Sequence, residues 1–377
     1  MWKRRRAVVG LCLALAVLGF GLGGASRAGY DDLPGSHWVA GSTLRGVSFP
    51  GGASGWAVGN GGLIIRSTDG GLTWKPQVSG TKVTLHDVQF LDDAHGWAVG
   101  DDGVIVASDD GGSTWVPQAA PSDEHLYALT FVNGSTGWAV GDAGTVLTTQ
   151  DGGAHWHSQA SDTVSPLYGV DFVGSRLIKT KGADGTVIAT ADGGLTWYNQ
   201  PSCDEIHDLY DVDFVNQDEG WIVGWGGALW ATSDGGDNWG EWILGWTRNL
   251  YALALTDADH GWALGGAGFV ARLDFPSWTE QESGLHVDVD LRDLDFVDDH
   301  RGWAVGSGGT VLSTSDGGGA WVREAGSTVK TITGMAFIDG NRGWASAGAA
   351  VAGYPGELLY TSDGGATWSV RKSDVPY

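Results

Sequence analysis

The chain has 377 residues, 64 of them glycine and 21 tryptophan, and a formal net charge of −24. Glycine at that level can mean disorder. The tryptophans supply the buried area that disordered chains lack, so the composition points to many short strands joined by tight turns. The excess of carboxylates leaves no broad basic face and argues against a nucleic-acid partner.

The chain opens with the basic "MWKRRR", then the apolar "AVVGLCLALAVLGFGLGG", then "ASRA" with small residues at Ser26 and Ala28. Residues 1–28 therefore carry the pattern of a secretory signal peptide. The alternative is an uncleaved membrane anchor, because Ala7–Ser26 is a run of 20 uncharged residues, enough to span a bilayer. Arg5 and Arg6 permit twin-arginine export. The expected location is the periplasm, the thylakoid lumen or the cell exterior. Without this segment 16 basic residues face 45 acidic ones, a charge of −29. Self-repulsion at that charge favours a soluble monomer. Cys203 is then the single cysteine, so no intrachain disulfide is available.

Residues 29–42 form a lead-in. Its "HWVAG" at 37–41 resembles a strand and could close the last unit of a repeat array that begins at residue 43.

Residues 43–377 are built from one repeat. "STDGGLTW" at 67–74 returns as "SDDGGSTW" and "TQDGGAHW", with the aspartate at Asp69, Asp110, Asp151, Asp192, Asp234, Asp316 and Asp363. A degenerate copy, "RLDFPSW", places Asp274 in the gap. "GWAVG" or a near variant precedes most copies, starting at Gly55, Gly96, Gly137, Gly220, Gly261, Gly302 and Gly343. The fourth unit reads "SRLIKTKG" there instead. A third marker, of the type "LHDVQF", opens each unit.

The markers divide a unit into four strands. The first is "LHDVQF", with His86, Val88 and Phe90 on one face by period two. The second is "GWAVG", the third runs through "GVIVAS", and the fourth is "TWVPQ". Four strands in about 41 residues is the size of a propeller blade. The fold class is thus all-β: a single β-propeller of four-stranded blades, eight by unit count, with seven as the alternative.

The aspartate motif reads as the turn from the third strand to the fourth. Its side chain accepts backbone N–H groups, its second glycine takes a positive φ, and its tryptophan packs beneath. A calcium loop needs more oxygen ligands than each copy offers, and a catalytic acid is not needed in every unit. No metal and no cofactor are expected.

This motif is the Asp-box, or BNR repeat. The unit "GWAVG…G…S.DGG.TW" resembles the repeats of the photosystem II stability and assembly factor family, across nearly all of the chain after residue 42. The resemblance implies an exported propeller that catalyses nothing and binds a membrane-complex subunit or assembly intermediate through one face. The chain departs from the family pattern of seven blades and from its arginine-rich patch. The alternative function is a glycan-binding or glycan-hydrolysing propeller, sialidase-like, glucanase-like or lectin-like, since such proteins also carry Asp-boxes. The arginine triad and Tyr–Glu pair of a sialidase find no counterpart here. The expected partner is a membrane-associated protein, with a glycan as the second possibility.

Two groups of residues are candidates for binding. Position two of each first strand forms a register of Arg45, His86, Tyr127, Tyr168, Tyr210, Tyr251, Arg292 and Thr333, expected at the rim of the central channel. Between them lie Asp87, Asp171, Asp211, Asp213, Asp293 and Asp295, which would make that channel negative and raise one another's pKa values. The second group is where the repeat breaks: Arg176, Lys179 and Lys181 in unit four, and Trp225, Trp242 and Trp246 in unit five. Extra aromatics beside basic residues suit a protein or glycan contact, or else local packing.

Overall fold

The computed structural model describes residues 44–371 except 51–53, 70–72, 174–176, 183–185, 191, 193, 200–207, 217, 286–288, 325–327, 329, 338 and 349–356. The signal segment 1–28 and the lead-in 29–42 lie outside the described residues. The described strands form eight four-stranded sheets, each taken from consecutive strands of the sequence. In the second sheet these are Leu85–Phe90, Gly96–Gly100, Ile105–Ser108 and Val116–Gln118, all antiparallel. First strands of most consecutive sheets lie against each other, so they are innermost and the sheets radiate as the blades of a propeller. The last blade meets the first, where Trp344 stacks on Phe49 at 4.3 Å. The outer strand of that last blade is Ser369–Arg371. Among the described residues, no helix is long and apolar enough to cross a membrane.

The seam between blades explains the "GW" marker. Trp97, on the second strand of blade 2, stacks on Phe131 of blade 3 with ring centroids 3.7 Å apart. Its Nε1–H donates to the carbonyl of Gly152 in the next Asp-box, at 2.9 Å. Phe131 in turn meets the box tryptophan Trp156 edge-on at 5.9 Å. The same arrangement joins Trp56 to Phe90 and Trp115, Trp262 to Phe296 and Trp321, and Trp303 to Phe337 and Trp368. Each aromatic pair adds roughly 0.5–1.5 kcal/mol beyond its burial. The glycine of "GW" is sterically required: a Cβ on Gly96 would collide with the Phe90 ring of its own blade.

The Asp-box closes the outer turn as its composition implies. Asp110 Oδ1 accepts the Thr114 N–H at 2.8 Å and the Ser108 hydroxyl at 2.9 Å. Oδ2 accepts the Thr114 hydroxyl. These bonds hold the box carboxylates below their ordinary range, with Asp151 and Asp192 each at about 2. Both glycines of the box take positive φ, 71° at Gly111 and 83° at Gly112, where one was expected. A second staple stands four residues before "GW" in six blades. Asp92 Oδ1 accepts the N–H groups of Ala94 and His95, and Asn133, Asn216, Asp257, Asp298 and Asp339 do the same in their blades. The sequence reading missed this staple.

The inner-strand carboxylates clasp one blade to the next. Asp87 Oδ1 accepts the N–H of Val88, and its Oδ2 accepts the N–H of Leu129 on blade 3 at 3.0 Å. Asp211 and Asp213 reach Leu253 and Leu255 in the same way, and Asp293 and Asp295 reach Met335 and Phe337. Burial pushes the Asp87 carboxyl up to about 7, against the two amides that favour its ionised form. Asp293 is raised well above the carboxylate range, by burial first and then by the charges of Asp211 and Asp295. The side chain of Asp171 lies outside the described residues.

A raised carboxyl binds more protons folded than unfolded between the two pKa values. Its contribution is therefore whole below the ordinary 3.8 and is lost as pH rises through about 7. Urea midpoints across pH 5–8 should show Asp87→Asn losing less stability with rising pH than the native chain. Over that window the difference has an upper bound of about 3 kcal/mol. Equal slopes would refute the assignment.

Candidate functional site

The rim register has a backbone cause. Every first strand slips register against its second strand at position two. Leu85 pairs with Gly100 and Asp87 with Val99, so His86 is the extra residue of a β-bulge. The same slip falls at Arg45, Tyr127, Tyr168, Tyr210, Tyr251, Arg292 and Thr333. A bulge re-aims its side chain and strengthens local twist. This corrects the period-two expectation: Leu85 joins Val88 and Phe90 in the core, and half-buried His86 leaves that face.

The re-aimed side chains touch their neighbours around the mouth. His86 meets Tyr127 at 5.2 Å between ring centroids, and Tyr127 meets Tyr168 at 5.4 Å. Tyr210 meets Tyr251 at 5.3 Å, and the Arg292 guanidinium carbon stands 4.4 Å over the Tyr251 ring. Beside them run the tight turns between second and third strands. In blades 1 to 3 the first residue of this turn sits by the rim residue of its own blade. Asn60 Oδ1 accepts from Arg45 Nε at 2.9 Å, and Asp101 Oδ1 lies 2.7 Å from His86 Nε2. Asp142 is hydrogen-bonded to Tyr127. In blade 5 this position is Trp225, 49% exposed.

Charges at the mouth are mutually adjusted. Burial lowers the pKa of His86, against the Asp101 hydrogen bond that raises it. Asp101 is pushed up by burial, but the His86 bond and the charges of His86 and His125 outweigh this and hold it below its ordinary value. Burial and Asp142 raise Tyr127. Burial, then Asp208 and Tyr251, raise Tyr210. Arg292 pairs with Asp290 at 2.8 Å.

The other candidate group divides. Arg176 lies outside the described residues, as do the side chains of Lys179 and Lys181. Trp242 and Trp246 pack against the core between blades 5 and 6. Trp242 sits edge-on to Trp221 at 5.0 Å, and Trp246 on Phe269 at 4.8 Å. Trp242 stands where other blades carry glutamine. Gln77, Gln118 and Gln159 accept the N–H of the next blade's box tryptophan, and Gln77 fits over the bare Cα of Gly112. In blade 6 the box has lost both glycines, and Phe275 faces Trp242 at 6.4 Å. The extra tryptophan and the degenerate box are two halves of one substituted contact. Asp274 has left the turn-staple role and pairs with Arg272 at 3.0 Å.

Among the described residues, side chains of metal-ligand type gather at Asp298, Asp299 and His300 on a turn. Asp298 there is already bound by Arg301 at 2.7 Å and serves as a turn staple.

Residues 77–200, 159–245 and 271–375 match the family described as photosynthesis system II assembly factor YCF48. Among solved structures, a YCF48 bound to a D1 peptide is 21% identical, with a TM-score of 0.56 over 77% of this chain and 92% of that one. YCF48 from Cyanidioschyzon merolae is 20% identical, with a TM-score of 0.57 over 88% and 95%. The computationally designed Ika8 protein is 14% identical, with a TM-score of 0.66 over 90% and 97%. At these identities the likeness is one of fold. No curated protein matches the sequence.

Packing at Trp242 predicts that Trp242→Ala lowers stability by roughly 2 kcal/mol or more. Ile243→Ala, at the exposed neighbour, should stay within about 0.5 kcal/mol. Urea midpoints of the two variants check this.

Proposed function

The chain belongs to the photosystem II assembly factor YCF48 family, and we propose that it is an exported, non-catalytic scaffold that holds a segment of a membrane-complex subunit at its mouth. In this reading residues 1–28 direct export, residues 43–377 form the propeller, and the protein acts as a monomer. The observation that carries it is the ring of bulged residues. In this reading the bulged Arg45, His86, Tyr127, Tyr168, Tyr210, Tyr251 and Arg292 line one mouth of the propeller, and the contacts within His86–Tyr127–Tyr168 and Tyr210–Tyr251–Arg292 support it. Tyrosine and arginine are the side chains that dominate protein contacts, because they pair large rigid area with a polar end. The solved relative bound to a D1 peptide supports a peptide as the ligand.

The carboxylates argue against the glycan-hydrolysing alternative. Glycoside hydrolysis needs two carboxyl groups facing the sugar, one with a raised pKa. Among the described residues, the raised carboxyls, Asp87 and Asp293, are buried and bonded to backbone amides. The box aspartates are committed to their turns.

Overlapping labelled peptides covering D1, titrated against the purified protein by fluorescence anisotropy, test the proposal. At least one peptide should bind, and Tyr251→Ala should weaken it five-fold or more. A parallel panel of glycoside substrates should remain intact. No bound peptide, or hydrolysis lost on replacing one mouth carboxylate, would overturn it.

A further inference from the structure

The turn between the second and third strands of a blade is pinned by the blade that follows. Its middle residue takes a left-handed φ, 58° at Asp102, 65° at Gly226 and 58° at Ala267. Residues other than glycine seldom adopt that region. At these three turns the middle N–H donates to the side chain that stands just before the next blade's opening leucine. Gly226 N–H donates to Asn249 Oδ1 at 2.9 Å, Ala267 N–H to Asp290 Oδ1 at 3.2 Å, and Asp102 N–H to His125 Nδ1 at 3.1 Å. Histidine changes charge between about pH 5 and 8. An amide oxygen or an ionised carboxylate accepts the bond throughout that range, whereas an imidazole nitrogen accepts it only while it carries no proton. Of these three latches, the one between blades 2 and 3 is the one a proton can open there.

The released histidine has a second partner in reach. Asp101 Oδ1 lies 3.4 Å from the same Nδ1, and Asp102 Oδ1 4.0 Å. Asp101 is held below its ordinary value, so it is ionised where histidines titrate. It is shared: its Oδ1 is also 2.7 Å from His86 Nε2, and Thr84 hydrogen-bonds to it. Arg45 of blade 1 acts on Asp101 and His86 through its charge. On blade 3, Asp142 donates its N–H to the His125 carbonyl and is hydrogen-bonded to Tyr127, while Asp123 and Glu124 precede His125 in the chain. The carboxylates favour a proton on His125, and the charges of Arg45 and His86 oppose it.

We infer that His125 is a proton-operated latch between blades 2 and 3. Unprotonated, its Nδ1 holds the Asp102 N–H. Protonated from solvent, the same nitrogen drops that bond and donates to the Asp101 carboxylate. The exchange adds a positive charge beside His86 and frees a turn residue from the contact that pins its left-handed φ. It is a property of the propeller with or without a peptide, and goes beyond the scaffold reading without resting on it.

Nitrogen-15 NMR of the purified protein tests the latch, with long-range imidazole spectra to place the ring proton. At about pH 8 His125 should carry its proton on Nε2. As pH falls to about 5, the Asp102 amide proton should move upfield, as an amide does on losing its acceptor, with the same midpoint as the His125 ring. His125→Asn keeps an oxygen acceptor, as at Asn249, and should hold the Asp102 amide at its high-pH position throughout. His125→Ala should place it near its low-pH position at every pH. Asp101→Asn should lower the His125 midpoint by about half a pH unit or more, because it removes the carboxylate that receives the cation. A proton on Nδ1 at the high-pH end, an Asp102 amide that stays put while the ring titrates, or an undiminished Asp102 titration in His125→Asn would each overturn the inference. So would an unchanged midpoint in Asp101→Asn.

Discussion

The seam between blades is the interaction on which the rest of this molecule depends. A tryptophan from one blade lies flat on a phenylalanine of the next, while its N–H reaches a carbonyl in that blade's Asp-box. The box tryptophan closes the other side of the same phenylalanine. One four-stranded sheet has two faces to cover and cannot cover them alone. The stack covers both by making each blade the wall of its neighbour, which is why a repeat protein needs its repeats. The glycines of "GW" are a consequence of it, because a side chain there would occupy the space of the phenylalanine ring.

The acidity of the chain acquires a structural meaning from the same geometry. Carboxylates accept backbone N–H groups in three recurring places: the Asp-box, the turn before "GW", and the inner-strand clasp. The first two are exposed and keep their charge easily. The third is buried, and there solvation opposes hydrogen bonding. Asp87, with one amide on each oxygen, is nevertheless driven up by burial. Acid and alkali thus act on different aspartates. Low pH threatens the turns, and rising pH loads the clasps.

The candidate mouth was half legible. Its residues could be listed from the sequence, because position two after the opening leucine recurs in every unit. Their direction could not. Alternation along the strand placed His86 with Val88 and Phe90, and only the paired strand reveals the slip that turns it away. The extra tryptophans misled in the opposite sense. Trp242 looks like a surface addition when its own unit is read alone. Set beside Gln77 and Gln118, it stands at a clasp position whose partner lies in the following blade, where the glycines have gone. The signal was present in two separate units, and nothing local joined them.

What the sequence determined alone was the repeat, and with it the strands, the Asp-box turns and the propeller class, since each arises from contacts within about ten residues. What the tertiary structure decided was everything that passes between blades: the stack, the clasp carboxylates, the Trp242 substitution and the tyrosine contacts at the mouth. Those contacts join residues about 40 apart in the chain, and local periodicity carries no information at that distance. The bulge lies between the two cases. It is a local feature of one strand, yet it exists only in relation to the strand beside it.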